Sequence, residues 1–125
     1  AQLGIADRII FTGMLKGIDV HKAFQLASVY VMPSVSEPFG LVALEALKNK
    51  CPVIISKQSG VAEVLTHAIK VDFWDVDKIS HAIVSGLKHP AMFDDLRKNS
   101  FQEAKKFNLD VPARKVIDIY NEVLK

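Results

Sequence analysis

Short, wholly apolar runs alternate with longer stretches in which apolar residues recur every three or four positions. Arg8-Ile-Ile-Phe-Thr12, closed by Gly13, predicts a buried strand, as do Val29-Tyr-Val-Met32, stopped by Pro33, and Pro52-Val-Ile-Ile-Ser56. Ala68-Ile-Lys-Val-Asp72 predicts a weaker fourth. Between them Val20, Ala23, Phe24 and Ala27 mark one face of a helix capped by Asp19, and Leu41 to Leu47 predict a helix closed by Asn49-Lys50. Ser59-Gly60 leads into a short helix, Val61 to Leu65. Three helices follow. The first is capped by Asp75, with Val76, Ile79, Ile83 and Leu87 on one face and Trp74 as a staple. The second is opened by Pro90 and carries Phe93, Leu96, Ala104 and Phe107. The third is capped by Asp110 and carries Ala113, Val116, Ile117, Tyr120 and Leu124.

Apolar strands separated by helices imply a parallel sheet covered on both faces. The expected fold class is α/β: a Rossmann-like parallel sheet of about four strands with flanking helices, in a single domain over residues 1–125. Ligands of such sheets bind beyond the carboxyl ends of the strands, so residues 13–18, 33–40, 57–60 and 73–74 are the loops of interest.

One of these loops is chemically unusual. Helical positions Leu41 to Leu47 hold a single polar residue, Glu45, and a helix apolar on every side is normally buried. A buried glutamate needs a partner. The loop before it carries a second carboxylate, Glu37, and ends at Gly40, which lets a ligand approach the backbone. Free N–H groups at the start of the helix favour an anion such as phosphate. Carboxylates beside a phosphate suit neutral hydroxyls, and the combination describes a nucleotide sugar.

Composition removes several alternatives. Of 125 residues half are hydrophobic and 24% charged, with a net charge of +2, too small to imply a nucleic-acid partner. The basic residues near the C-terminus alternate with acids and read as a solvated helix face. Cys51 stands alone, which excludes an internal disulfide and suits a reducing compartment. The four histidines show no metal-ligand spacing, and no apolar run is long enough for a membrane span. A cytoplasmic protein is expected, with peripheral membrane attachment open.

Glu37-Pro-Phe-Gly-Leu-Val-Ala-Leu-Glu45 resembles the paired-glutamate motif of retaining glycosyltransferases of the group 1, or family 4, type. Ala27-Ser-Val-Tyr-Val-Met-Pro-Ser34 and Pro52-Val-Ile-Ile-Ser56 fit the same pattern, so the resemblance covers roughly residues 8–87. It implies part of the C-terminal, donor-binding domain of a GT-B enzyme that moves a sugar from a nucleotide-diphospho-sugar to a glycan or other hydroxyl acceptor. Glu37 would be the catalytic residue and touch donor-sugar hydroxyls, and Glu45 the ribose hydroxyls. Phe39, Gly40 and Leu41 would present backbone groups to sugar and diphosphate, and the Met14-Leu15 loop would border the base, with Leu15 counted among the donor-binding residues. No metal or other cofactor is implied. Lys70-Val-Asp-Phe-Trp-Asp75 and the terminal helix are similar to glycogen- and starch-synthase-like members.

The chain also departs from the family. Ser59-Gly60-Val-Ala-Glu63 stands where Gly-Gly is common. The family's donor domain begins with two further strand–helix units carrying an Arg and a Lys for the diphosphate, and the acceptor is held by a separate N-terminal domain. The chain is therefore expected to be a fragment, inactive alone, whose first strand lacks its neighbours and which can self-associate through exposed sheet edges. Two other functions compete. One is a non-catalytic Rossmann-like module serving assembly. The other is a glycoside hydrolase using Glu37 and Glu45, which would need the carboxyls about 5–9.5 Å apart.

Overall fold

The structure is a computed structural model and describes residues 3–124. Its centre is a three-stranded parallel sheet in the order β1 (Tyr30–Met32), β2 (Val53–Ser56), β3 (Ile69–Val71). Tyr30 pairs with Val53 and Met32 with Ile55, while Ile54 pairs with Ile69 and Ser56 with Val71. Helices α2 (Leu41–Lys48) and α3 (Val61–Val64) form the two crossovers. Helix α1 (Ile18–Leu26) precedes the sheet. Helices α4 (Val76–Lys88), α5 (Pro90–Ala104) and α6 (Asp110–Val123) follow it.

The central strand is apolar because it is buried on both faces. Val53 and Ile55 join Leu44, Leu47, Val61 and Leu65 in the main core, with Phe24 of α1 and Met32 of β1 at its edge. Ile54 points to the opposite face and is fully buried there. Helix α5 packs against α2 and α4, with the Phe93 ring laid over Gly86 and Ala104 reaching the main core. Asp75 caps α4 as expected, its carboxylate accepting the Lys78 N–H at 3.0 Å.

Four expectations are corrected. Residues 8–12 form no strand: Ala6–Arg8 make a single 3-10 turn, and the chain from residue 9 to the loop before α1 is irregular, with Ile10 and Phe11 85% and 93% exposed. The reason is pairing. A strand needs neighbours on its edges, and none stands beside this segment among the described residues. The sheet accordingly has three strands, not four. Asp19 does not cap α1: Gly17, with φ of 54°, occupies that position, and Asp19 lies inside the first turn, 3.8 Å from Lys22. Asp110 likewise begins α6 inside the helix, which has Leu109 at its N-cap and no buried residue. Its apolar stripe from Val116 to Leu124 is exposed. Trp74 is largely exposed and packs edge-on against Phe73 instead of stapling α4.

Candidate functional site

The loop from Pro33 to Gly40 lies at the carboxyl end of β1 and enters α2 directly. Its shape is fixed by the neighbouring loop before α3. Glu37 and Ser59 form a parallel bridge, the Gly60 N–H donates to the Glu37 carbonyl at 3.0 Å, and the Val61 N–H donates to the Phe39 carbonyl at 2.5 Å. The two loops approach so closely that a Cβ on Gly60 would lie 2.2 Å from the Pro38 carbonyl oxygen. Gly40 has φ of 103°, in the left-handed region that favours glycine, and a Cβ there would meet Val61 and Met32. Ser59 is buried and donates its hydroxyl to the Ser56 carbonyl at 2.8 Å, and Ser56 donates its own to Ser34 at 2.7 Å. The residue that departs from the Gly-Gly pattern is thus used to tie the turn together.

A helix start with no side-chain cap results. Among the described residues the N–H groups of Leu41 and Val42 have no acceptor, and Gly40 offers no side chain to supply one. Such donors carry the positive end of the helix dipole.

Glu45 is exposed, which corrects the expectation of a carboxylate trapped in apolar surroundings. Leu44, Ala43, Ala46 and Leu47 face inward, whereas Leu41, Val42 and Glu45 face out. Helix α2 is apolar all round because part of its apolar surface is left uncovered. Glu45 borders a groove of about 540 Å³ formed with Phe39, Leu41 and Leu44 on one side and Phe107, Leu109 and Val111 of the α5–α6 junction on the other. No Lys or Arg nitrogen lies within 4.0 Å of Glu45 or Glu37 among the described residues, although Lys48 is less than one turn along the same helix.

Tyr30, which the sequence reading passed over, lies within range of the charge of both carboxylates. Burial pushes its phenol upward first, and the charges of Glu37 and then Glu45 push it further. Both carboxylates therefore act on one hydroxyl at the start of β1. An aromatic residue within an apolar strand carried no signal of that.

The other crevice residues are less engaged. Lys57 is 2.9 Å from Asp72, which also accepts from Gln58. That hydrogen bonding to Lys57 and Gln58 holds the Asp72 carboxyl below its ordinary range. Leu15 is partly exposed in the irregular segment before α1 and is not brought against residues 37–45 by any described hydrogen bond or core packing. No helix among the described residues is long and apolar enough to cross a membrane.

A parallel sheet, α/β crossovers and an open helix start at the carboxyl end of a strand define a Rossmann-like domain. The chain belongs to the group 1 glycosyltransferases: the profile of the family described as "Glycosyl transferases group 1" matches residues 1–106, a wider span than the motif region alone. It is 32% identical over 124 residues to an uncharacterised glycosyltransferase of Methanocaldococcus jannaschii, covering 95% of this chain and 32% of that protein. Among solved structures it is similar to sucrose-phosphate synthase from Thermosynechococcus elongatus, with a TM-score of 0.89 and 29% identity, over 98% of this chain and 32% of that one. The C-terminal domain of a group 1 glycosyl transferase from Francisella tularensis shares the fold, with a TM-score of 0.76 and 23% identity, covering 84% of this chain and 56% of that one. The chain spans about a third of the length of the curated relative.

Proposed function

We propose that this chain is the donor-binding part of a retaining glycosyltransferase that uses a nucleotide-diphospho-sugar. The observation that carries the reading is the pair of carboxylates, Glu37 and Glu45, which flank an uncapped helix start and have no cationic partner among the described residues. The ordinary alternative for Glu45 is an ion pair with Lys48 or Lys50, and neither is formed.

The Leu41 and Val42 N–H groups face the donor diphosphate, and the helix dipole favours its charge, most strongly as the bond to the sugar breaks. In the reaction the bond from the anomeric carbon to the diphosphate oxygen breaks, with the electron pair leaving on the diphosphate. The acceptor hydroxyl oxygen bonds to the same face of that carbon and gives up its proton to the departing diphosphate oxygen. Glu37 accepts from donor-sugar hydroxyls and holds the anomeric carbon in place, and its charge suits the positive charge developing there. Phe39 and Gly40 line the sugar with backbone, and Glu45 accepts from the ribose. Leu15 borders the base once residues 8–12 are paired by strands from the rest of the parent protein. The acceptor domain and the cations for the diphosphate also belong to that remainder, and the chemistry asks for no metal. The setting is cytoplasmic.

Replacing Glu45 by Gln in the intact protein tests the ribose role. A hydrogen bond to a charged acceptor contributes about 1.5–3 kcal/mol, so affinity for the preferred nucleoside diphosphate falls about tenfold or more, with an unchanged melting temperature because the residue is exposed. A 2′,3′-dideoxy analogue should bind wild type and variant equally. Undiminished affinity of Glu45→Gln for the ribonucleotide removes the assignment.

A further inference from the structure

The end of the sheet opposite the donor loop holds a second, basic cleft. It measures about 530 Å³ and opens between the residues that lead into β1 and those that lead into β2, with α5 alongside. Three cationic side chains line it, Lys48, Lys50 and Arg97, together with Gln25, Ser28 and Asn49. No carboxylate lines it. Asp94, the nearest acid on α5, pairs with one Arg97 nitrogen at 3.2 Å, and Glu45 faces the other groove. A second Arg97 nitrogen donates to the Ser28 carbonyl at 3.4 Å. Those two bonds aim the guanidinium and leave it three further N–H donors.

The lysines are not there to finish α2. The carbonyls of Glu45, Ala46 and Leu47 already accept from the Asn49, Cys51 and Lys50 backbone N–H groups, and the Asn49 side chain adds a bond to Glu45. Neither Lys48 nor Lys50 has a carboxylate within 4.0 Å among the described residues. Lys50 is held instead over the Phe101 ring, 5.3 Å from its centroid.

Lys50 is also the one non-glycine residue with positive φ among the described residues, at 60°. This position just after a helix favours Gly or Asn, and a lysine there keeps a strained backbone in exchange for a side chain. Strain at the mouth of a cleft points to a use for that side chain.

We infer that Lys48, Lys50 and Arg97 form a phosphomonoester-binding site at the amino ends of the strands, separate from the donor loop. An ester dianion fits a cleft lined by three cations and no carboxylate, with the free donors of the Arg97 fork taking its oxygens and Gln25 and Ser28 in the same lining. The ester is carried either by a soluble sugar phosphate or by a phosphomonoester lipid headgroup.

The test is titration of the intact protein with inorganic phosphate at physiological salt, followed by amide and Arg Nε resonances. Saturable shifts centred on Lys48, Lys50 and Arg97 are expected. Lys50→Gly should weaken phosphate at least tenfold without lowering the melting temperature, since glycine relaxes the backbone there. It should leave nucleoside-diphosphate affinity unchanged. Glucose 6-phosphate and phosphatidylcholine vesicles containing phosphatidic acid then separate the sources. Binding to the soluble ester alone, to the vesicles alone or to both supports the site and names its carrier. Shifts centred on Leu41 and Val42, non-saturating shifts over many lysines, or equal phosphate affinity in Lys50→Gly would overturn it.

Discussion

Gly60→Ala should destabilise the chain by about 3 kcal/mol, the upper end of ordinary overpacking, and should abolish donor binding along with it. The added methyl would sit 2.2 Å from the Pro38 carbonyl oxygen, and backbone cannot swing aside as a flexible side chain can. Relief requires the 37–39 loop to move away from residues 59–61. That breaks the Gly60-to-Glu37 and Val61-to-Phe39 hydrogen bonds and turns Glu37 away from the start of α2. A shift of this kind costs far more in binding than in stability, because the site depends on loop and helix being held in one arrangement. Urea unfolding and nucleotide titration on the same sample measure both effects. A wild-type unfolding midpoint with wild-type affinity would show that the two loops are not locked.

Glu103→Gln is expected to cost about 2 kcal/mol at neutral pH and to flatten the acid limb of the stability curve. The carboxylate of Glu103 is nearly buried on α5. One of its oxygens accepts the Thr66 N–H at 2.7 Å, and the other accepts the His67 N–H at 2.8 Å and meets the His67 ring at 3.2 Å. It thereby pins α5 to the turn that leads into β3. Burial pushes its carboxyl upward, but the His67 and Thr66 donors outweigh burial and hold it below the ordinary glutamate value. A carboxyl depressed in the folded state stabilises fully above its unfolded value of about 4.3, and that contribution is lost as pH falls through the lower folded value. Wild type therefore loses stability over this acid window, and Glu103→Gln, already lacking the contribution, loses less. Denaturant midpoints measured from pH 6 downward make the comparison. Parallel curves for the two proteins would remove Glu103 from the account.

The parts of the fold that were legible in the sequence are those decided by local pattern. Val53 to Ser56 is apolar at every position because the strand is buried on both faces, and Asp75 caps α4 through a contact three residues long. Pro33, Gly40 and Asn49 bound the loop and helix of the site where their local chemistry places them. What was misread depends on partners that pattern does not contain. Ile9, Ile10 and Phe11 are as apolar as any strand here, yet a strand also needs hydrogen-bonding neighbours. Helix α6 is amphipathic in the same way, and its apolar stripe stands uncovered. Gly17 displaced Asp19 as the cap of α1 through a positive φ that any glycine can adopt but none announces.

The site was legible as a motif and misread as an environment. The apolar residues around Glu45 suggested burial, whereas Leu41 and Val42 beside it are exposed too. Tyr30 and Glu103 went unseen because each matters through residues distant in sequence: Glu37 and Glu45 for the first, Thr66 and His67 for the second. Interactions of this kind, a charge acting at a distance in the first case and a hydrogen bond in the second, have no period.

Isothermal calorimetry of the intact protein with UDP, ADP and GDP tests the central claim most directly. The donor-site reading predicts saturable one-to-one binding with preference for one base, and that binding should weaken about tenfold or more in Glu45→Gln, in line with loss of a charged hydrogen bond. Absence of binding by all three nucleotides would contradict it.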